Sequence, residues 1–499
     1  MTSSYIRTAA VLAAACVLAP SARAQVPGSS TGGSSGSATV DFPATPAGTL
    51  ARALLAAINS GDTAQLRRWS DTSFSAAAHQ RGNAATDAEL LRIVQSQGGG
   101  LELLGVRDGE PLRWEARLRR TGRRAEMLMG VAPGAVPRAE GIGLSIVAEP
   151  AAPWPTGRLA PDAIRAAIEQ RVGEAARRDD FSGVVRVMRG DRVFFEQAYG
   201  EADHNFHAPN RPDTRFNVAS MGKMFVAVAI GQLVEAGKLR WDDTLAALLP
   251  EYPNADAARR ITIHQLLTHS AGLGGFFDRP GYDRRKVYPT AASLLEVFAR
   301  EPLLYAPGTG SRYSNEGFIV LGAVVEKVSG ENFYDYVRRH VYQPAGMTDT
   351  DAFAIDDAVE NVAVGYAWWD DDPLGLRPRR PNWAYLGHRG TPAGGGYSTA
   401  ADMVRFSQAL RGGRLLRPET VARLTAVQNG LPHYGYGFQL SAVGGRETVG
   451  HDGGGAGSGI NSDLFWFRDG SWTVAVMGNY DAPAAYRVAR GILGFLAGQ

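Results

Sequence analysis

The stretch that most constrains the fold of this chain begins at Asn217 and reads NVASMGKMF. The apolar residues after it recur at spacings of three and four, which predicts a long buried helix: Met224, Phe225, Val228, Ile230, Leu233 and Val234. Ser220 then lies in the first turn, and Lys223 lies one turn later on the same face. A neutral lysine can take the proton of a serine hydroxyl, and burial near a helix N-terminus favours the neutral form. The spacing therefore predicts a serine nucleophile with a lysine base.

A single Ser-x-x-Lys match is weak evidence by itself. With 27 serines and only four lysines in the chain, one match arises by chance in roughly one such chain in five. A surface lysine on an ordinary helix fits the motif equally well. The interpretation therefore depends on partner residues elsewhere in the sequence.

The first 24 residues have the pattern of an export signal. Arg7 precedes an apolar run from Ala9 to Ala19, and a small-x-small cleavage site follows at Ala22-Arg23-Ala24. The run is too short to span a bilayer, and no later segment is long enough. We therefore expect residues 1–24 to be a signal peptide of a periplasmic or secreted protein without stable membrane insertion.

Charge and cysteine content exclude several classes of function. Cleavage after Ala24 would change the formal net charge from +2 to 0, so the mature protein has no basic bias towards nucleic acid. The single cysteine, Cys16, lies inside the signal. The mature chain therefore lacks disulfides and a thiol nucleophile, which suits an oxidising compartment.

With 499 residues the chain is long enough for two or three domains. Residues 25–40 are a Gly/Ser-rich linker, and residues 41–150 show helices followed by four strand-like stretches, which predicts a small α+β domain. The phrase LLAAINSGD, from Leu54 to Asp62, and this order of elements resemble the NTF2-like cone fold. No acid–base group stands out there, so a binding or spacing role is predicted.

Residues 151–159 form a second linker, and residues 160–499 form the last predicted domain. Two strands at its start and three at its end flank a largely helical middle, with the strands at residues 183–188, 193–198, 447–449, 460–467 and 472–477. This arrangement predicts one five-stranded antiparallel sheet with flanking helices and a helical subdomain, an α+β fold.

Two further motifs supply partners for Ser220 and Lys223. Tyr313 and Asn315 form a Tyr-x-Asn motif between a glycine turn and a predicted helix. A phenol near a lysine can relay a proton, and an amide can orient a substrate. His451-Asp452-Gly453 with Gly454 follows a short predicted strand, where glycines let a substrate approach the backbone.

The order Ser-x-x-Lys, Tyr-x-Asn, His-x-Gly resembles the penicillin-recognising serine enzymes of the peptidase S12 type, over about residues 160 to 497. This group includes class C β-lactamases, D-alanyl-D-alanine carboxypeptidases, D-aminopeptidases and esterases. The resemblance implies that Ser220 is acylated, Lys223 is its base, and Tyr313 protonates the leaving group. It also implies that Asn315, His451 and Gly453 contact the substrate, that the N–H groups of Ser220 and Gly454 form the oxyanion hole, and that no metal or organic cofactor is needed.

One departure from the family pattern concerns specificity. The β-lactamases and carboxypeptidases carry Lys-Thr-Gly or a close variant where this chain has His451-Asp452-Gly453. A fixed positive charge is thus replaced by a titratable one. We therefore expect an ester or a small peptide amide as substrate rather than a penicillin, and a pocket that favours neutral or cationic groups, more so if Asp452 points inward.

Two alternatives stay open at this point. One is a catalytically silent relative that binds peptide or peptidoglycan fragments, and the other is a protein whose N-terminal domain binds the biological ligand. The acyl group, the leaving group and the oligomeric state are also open. Other histidines fit structural roles better than a metal site. His204 and His207 have no nearby carboxylate or third ligand, and His264 and His269 have the pattern of core or capping residues of the helix that they flank.

Overall fold

The computed structural model describes residues 40–107, 109–132, 136–147, 149, 152–276, 282–369, 372, 374–428, 431, 433–455 and 457–499. The predicted signal peptide, nearly all of the Gly/Ser linker and part of the second linker lie outside the described residues.

The N-terminal region is a helical layer on a four-stranded antiparallel sheet in the order β1-β2-β3-β4. Its elements are α1 Pro46–Asn59, α2 Thr63–Ser73, α3 Ala76–Gln80, α4 Asn83–Ser96, β1 Leu101–Arg107, β2 Leu112–Leu118, β3 Arg124–Ala132 and β4 Arg138–Val147. Asp62 caps α2 by accepting a hydrogen bond from Ala64 N at 2.8 Å. The architecture is the predicted α+β type, and the NTF2-like assignment stays a prediction.

The second region begins with α5 and ends with α15. Its elements are α5 Pro161–Arg177, β5 Gly183–Arg189, β6 Arg192–Tyr199, β7 Glu201–Asp203, β8 Ala208–Pro209, β9 Phe216–Asn217, a 3₁₀ turn Ala219–Met221, α6 Gly222–Glu235, α7 Leu245–Leu248, α8 Ala255–Arg260, α9 Ile263–Leu267, a 3₁₀ helix Ala292–Val297, α10 Asn315–Ser329, α11 Phe333–Val337, a π-helical turn Arg338–Tyr342, α12 Gln343–Ala345, β10 Tyr366–Ala367, β11 Arg380–Pro381, β12 Tyr397–Ser398, α13 Ala400–Arg411, α14 Pro418–Leu424, β13 Gln439–Val443, β14 Arg446–Gly455, β15 Ile460–Phe467, β16 Trp472–Gly478 and α15 Ala484–Ala497.

The main sheet has six antiparallel strands in the order β13-β14-β15-β16-β5-β6, built from both ends of the region as predicted. The predicted sheet has five strands and lacks β13, a five-residue edge strand. The predicted strand that corresponds to β14 ends at Val449, whereas β14 continues to Gly455. His451, Asp452 and Gly453 therefore lie within a strand, where successive side chains point to opposite faces.

The two faces of this sheet pack against different layers. On β15, Leu464 and Trp466 join the core formed with the helical subdomain, while Phe465 and Phe467 join the core under α5 and α15. We call these the inner and outer faces. Because α6 and the 3₁₀ turn before it pack on the inner face, Ser220 lies where the sheet meets the helical subdomain.

A leucine of the second region packs in the core of the N-terminal region. Leu374, in the segment between β10 and β11, is fully buried in the hydrophobic core of the N-terminal region. Arg123, just before β3, donates a hydrogen bond to the Leu374 carbonyl at 3.4 Å and stacks 4.5 Å from the Trp368 ring. The second region thus contributes a residue to the first region's core.

Within the part of the chain that the structure describes, every helix is too short or too polar to cross a lipid bilayer.

Candidate active site

Ser220 lies in the 3₁₀ turn that leads into α6, one residue after a backbone in the left-handed region. Ala219 has φ +42°, a conformation that L-residues with a side chain rarely adopt. Asn217 helps to hold it, because its Oδ1 accepts a hydrogen bond from Ala219 N at 2.9 Å. Such strain is retained where the surroundings over-determine the backbone, and here it positions the Ser220 side chain.

A glycine loop immediately before β12 holds the same turn from the other side. Gly395 N donates to the Ala219 carbonyl at 3.2 Å, and Val218 N donates to the Gly396 carbonyl at 2.8 Å. Gly394 has φ +137°, and a Cβ there would lie 1.9 Å from the Ala219 oxygen. Only glycine therefore lets this loop approach the backbone of the Ser220 turn so closely.

Lys223 is fully buried, and its Nζ has three polar neighbours. Nζ lies 3.1 Å from Ser220 Oγ, 2.8 Å from Asn315 Oδ1 and 2.6 Å from the Ala393 carbonyl. Burial lowers the pKa of Lys223 to about 7, although the negative charges of Glu316 and Asp452 oppose this shift. The neutral form of Lys223 is therefore accessible near pH 7.

Tyr313 and Asn315 flank the start of α10 and face Ser220 and Lys223. The Tyr313 ring centroid lies 4.8 Å from Lys223 Nζ, and its hydroxyl is hydrogen-bonded with Ser220. Desolvation raises the pKa of Tyr313, and the bond with Ser220 opposes that shift. Because 46 % of the residue's surface is exposed, solvent moderates the effect. The structure thus brings the four predicted residues of the first two motifs together.

The third motif is divided between the two faces of the sheet. His451 pairs with Leu464 and points to the inner face, where its Nε2 lies 3.0 Å from the Tyr434 hydroxyl. It is fully buried and does not line the cavity at Ser220. Burial lowers the pKa of His451, so the ring is neutral at pH 7.

Asp452 points to the outer face, away from Ser220. It pairs across the sheet with Asp463, and its Oδ1 accepts a hydrogen bond from Gln439 Nε2 at 2.8 Å. Asp452 would repel an anionic substrate only if its side chain pointed inward, and it does not. The part of the expected preference for neutral or cationic groups that depended on this condition therefore does not apply.

The two glycines of the motif adjoin the nucleophile. A Cβ on Gly453 would lie 2.3 Å from the Val218 carbonyl and 2.9 Å from Ser220 N, so glycine is required for β14 to pack on the turn. Gly454 lines the cavity together with Ser220. Because β13 pairs with β14 only as far as Gly450, β15 is the one strand that pairs with residues 453–455 in the described structure.

The cavity in front of Ser220 has a volume of about 240 Å³. Tyr313, Asn315 and Gly454 line it, and most of the remaining wall comes from loops far away in sequence, including Tyr282, Arg284, Phe353, Ile355, Tyr385, Arg389 and Tyr397. This volume suits a small substrate or the end of a larger one.

Several residues around Ser220 and Tyr313 carry no motif in the sequence. Ala393 contacts Lys223 through its backbone carbonyl, so the identity of its side chain gives no indication of this role. The glycines that follow it, at 394–396, are the sequence feature that could have indicated the loop. His269 packs against both Tyr313 and Tyr434: its ring lies 4.4 Å from the Tyr313 ring and 4.7 Å from the Tyr434 ring. His269 was predicted to be structural, and its contacts with these rings and with Ser314 N agree.

A comparison with protein families gives a single assignment. A family model described as Beta-lactamase matches residues 164–499, more than half of the chain. The chain belongs to the Beta-lactamase family. It is a β-lactamase-related serine hydrolase, and its fold is that of the β-lactamase and transpeptidase group.

Relatives within the Beta-lactamase family have varied names. Esterase EstB of Burkholderia gladioli is 33% identical over 298 residues, which cover 52% of this chain and 74% of EstB. PbpX of Bacillus subtilis, named for penicillin binding, is 29% identical over 272 residues, and the match covers 54% of this chain and 65% of PbpX. The chain thus spans less than two thirds of PbpX.

A solved structure also shares the Beta-lactamase-family fold. The penicillin-binding protein from Bacillus halodurans superposes with a TM-score of 0.56 at 30% sequence identity, covering 66% of this chain and 97% of that one. The match accounts for nearly the whole of that protein and leaves about a third of this chain unmatched.

Proposed function

We propose that this chain is an exported serine hydrolase that cleaves an ester or amide bond through an acyl-enzyme. The observation that carries the proposal is the set of contacts around Lys223 Nζ. A neutral amine has two N–H groups and one lone pair. Asn315 Oδ1 and the Ala393 carbonyl accept from the two N–H groups, which leaves the lone pair for the proton of Ser220.

In the proposed first step, Lys223 Nζ takes the Ser220 hydroxyl proton while Oγ forms a bond to the substrate's carbonyl carbon. The carbonyl oxygen then carries a negative charge, which we propose is bound by the N–H groups of Ser220 and Gly454. The close packing of Gly453 on the Ser220 turn supports this pairing, because it places β14 against the nucleophile.

In the second step, the bond from the carbonyl carbon to the leaving oxygen or nitrogen breaks. Tyr313 gives its proton to the leaving atom and receives the proton held by Lys223, so the leaving group departs as an alcohol or amine. A water molecule then attacks the acyl group on Ser220, and the same proton transfers run in reverse to release the acid. Asn315 is proposed to orient the substrate, because its Nδ2 donates no hydrogen bond within the described residues.

The substrate class follows from the cavity and the relatives. We propose an ester or a small amide of the esterase, D-aminopeptidase or carboxypeptidase type, which the 33% identity to an esterase supports. Efficient β-lactam hydrolysis is not proposed, because the lysine of Lys-Thr-Gly is replaced by His451, which is neutral at pH 7 and does not line the cavity. His451 is proposed to act through Tyr434 rather than by direct contact.

The rival proposal is a silent protein that binds peptide or peptidoglycan fragments. The complete set of Ser220, Lys223, Tyr313 and Asn315 in mutual contact favours catalysis, since binding alone does not require a lysine of lowered pKa beside a serine.

A fluorophosphonate probe and a panel of chromogenic substrates separate the two. We expect covalent labelling of the wild type at Ser220 and turnover of 4-nitrophenyl esters or D-aminoacyl anilides faster than of nitrocefin. Ser220→Ala should abolish labelling and lower kcat/KM by about a thousandfold or more. Ser441→Ala, on β13, is the matched control and should retain both. An unlabelled wild type without turnover would favour the silent protein.

We propose that residues 41–150 form a separately folding NTF2-like domain with a binding or spacing role, and that residues 1–24 direct export to the periplasm or medium. The hydrophobic core of the N-terminal region supports the first proposal, because among the described residues only Leu374 enters it from the second region. A fragment of residues 41–150 should show a cooperative thermal transition, and secretion of the mature chain should depend on residues 1–24.

A further inference from the structure

Two arginines line the cavity that contains Ser220. They are Arg284 and Arg389, and no aspartate or glutamate lines the cavity among the described residues. Neither guanidinium forms an ion pair with a described carboxylate. The side chains that face the substrate space therefore carry an excess of positive charge.

The Arg389 side chain is held rigidly. Its Nε and Nη2 donate to the Ala352 carbonyl at 3.1 and 2.9 Å, and its guanidinium lies 4.0 Å from the centre of the Tyr334 ring. Tyr334 is fixed in turn, because its hydroxyl donates to the Gly390 carbonyl at 3.0 Å. Nη1 of Arg389 has no acceptor in the described structure and is left for a ligand.

Arg284 is held in a similar way. One of its amino groups, Nη1, donates to the Tyr385 carbonyl, and its guanidinium lies 4.6 Å from the centre of the Tyr385 ring. Its Nε and Nη2 have no acceptor among the described residues. The two arginine segments are also joined, because His388 N donates to the Arg284 carbonyl at 3.0 Å.

We propose that Arg284 and Arg389 bind a carboxylate of the substrate, so that the favoured substrates are esters or amides that carry a free carboxylate. This inference rests on the proposed hydrolase function and specifies its substrate class. Half-buried guanidiniums with unused donors form strong charge-assisted hydrogen bonds with carboxylates, and the cavity supplies no competing anion. The inference replaces the expectation of a preference for neutral or cationic groups.

Two pairs of esters test this inference, each matched in size and differing in one carboxylate. Mono-4-nitrophenyl adipate and 4-nitrophenyl hexanoate place the carboxylate or a methyl group on the acyl side. 3-Acetoxybenzoate and 3-methylphenyl acetate place the same two groups on the leaving group. We expect kcat/KM to be about 10- to 100-fold higher for the anionic member of at least one pair, after subtraction of spontaneous hydrolysis. Equal rates, or faster turnover of the neutral member in both pairs, would overturn the inference.

Variants assign this preference to the arginines. Arg284→Gln and Arg389→Gln should each lower kcat/KM much more for the anionic member of a pair than for the neutral member and so remove most of the preference, whereas Arg389→Lys should retain part of it. Arg285→Gln is the matched control, because Arg285 is exposed and does not line the cavity. If the variants slow both members of a pair equally, the arginines only support the loop structure and the inference is wrong. Melting temperatures identify variants that are misfolded.

A measurement without turnover separates this inference from the proposed function. Phenylboronic acid forms a reversible bond between boron and a serine Oγ, so its binding reports the nucleophile alone. We expect one of the carboxyphenylboronic acids to bind at least tenfold more tightly than phenylboronic acid, and the difference to disappear in the double glutamine variant. Equal binding of all of them overturns the inference and leaves the hydrolase function intact. Absence of binding overturns both.

Discussion

An ionisable side chain is buried against each face of the main sheet, but the two side chains differ in their hydrogen-bond partners. On the inner side, Lys223 has three polar partners within 3.1 Å. On the outer face, both carboxylate oxygens of Asp463 are buried without a hydrogen-bond partner in the described structure. Asp452 lies opposite Asp463 on β14. The positive charge of Arg490, on α15, favours the ionised form of Asp463.

The same physical cause acts on both groups. Burial lowers the pKa of Lys223 to about 7 and raises the pKa of Asp463 to about 8, so each tends towards its neutral form near neutral pH. Only the inner group has the partners that turn a neutral side chain into a base. Burial alone therefore shifts a pKa, and the arrangement of neighbours determines whether the shift serves catalysis or only costs stability.

The largest expected effect comes from replacing Lys223. Lys223→Arg should be nearly as damaging as Lys223→Ala, each lowering kcat/KM by about a thousandfold, because arginine keeps the charge but cannot lose its proton at accessible pH. Steady-state kinetics on a neutral nitrophenyl ester measures both. Lys238→Arg, at an exposed position just after α6, is the control and should leave kcat/KM unchanged. Substantial activity in Lys223→Arg would mean that the lysine acts through its charge alone.

Gly394→Ala tests how closely the glycine loop must approach the Ser220 turn. Its Cβ would lie 1.9 Å from the Ala219 carbonyl oxygen, so the loop and the nucleophile must separate. We expect kcat/KM to fall by about a hundredfold, since a displacement of about 1 Å can cost that much. Gly346→Ala is the control, with a positive φ of +75° and no atom within 4 Å of the new Cβ. It should lower stability by about 1 kcal/mol and leave turnover intact. Comparable kinetic losses in both variants would show that backbone strain, rather than the close approach, is responsible.

The pH profile sharpens the comparison without a mutation. Below pH 7 Lys223 is protonated and cannot accept the Ser220 proton, so kcat/KM should fall about tenfold per pH unit and level off above pH 7. A neutral ester, 4-nitrophenyl hexanoate, keeps substrate ionisation out of the profile. A flat profile between pH 5 and 9 would contradict the assignment of Lys223 as the base.

Asp463→Asn addresses the outer face and has the smallest expected effect. Because the pKa of Asp463 is higher in the folded chain than in the unfolded chain, the folded state holds more protons between pH 4 and 8. The free energy of unfolding should therefore decrease as pH rises through this window, by about 1 kcal/mol per pH unit, and level off above pH 8. The variant should lessen this slope in urea titrations between pH 5 and 8.

Asp469→Asn is the control for the outer-face prediction. Hydrogen bonds from Ser471 and the Arg446 guanidinium hold the pKa of Asp469 at about 2, so it titrates below the window. The slope between pH 5 and 8 should then be that of the wild type. An unchanged slope in Asp463→Asn would show that Asp463 is charged throughout.

The sequence predicted those parts of the site that local spacing determines. Ser220 and Lys223 are three residues apart across one turn, and Tyr313 and Asn315 share one motif, so each pair could be recognised without a three-dimensional structure. The strand pattern also predicted a sheet formed from both ends of the region. The edge strand β13 was missed because five residues give too short an alternation to separate from a loop.

Residues that converge from distant segments could not be predicted. Arg284 and Arg389 have no motif of their own, and they reach the cavity only because the loops fold over it. Tyr434 has no motif either, and only the fold brings it to His451. The face of the sheet to which the Asp452 side chain points could be assigned only once the extent of β14 was known. Once the strand is known to reach Gly455, alternation places His451 and Asp452 on opposite faces.

Leu374 has a consequence for the cooperativity of the whole molecule. Its side chain completes the N-terminal core, and full burial of a leucine stabilises by about 1.5 to 3 kcal/mol. That free energy is lost when either region unfolds. It therefore couples the unfolding of the two regions. The segment that carries Leu374 also continues through β11 into the loop with Tyr385 and Arg389. We therefore expect melting of the N-terminal region to loosen the wall that faces the substrate.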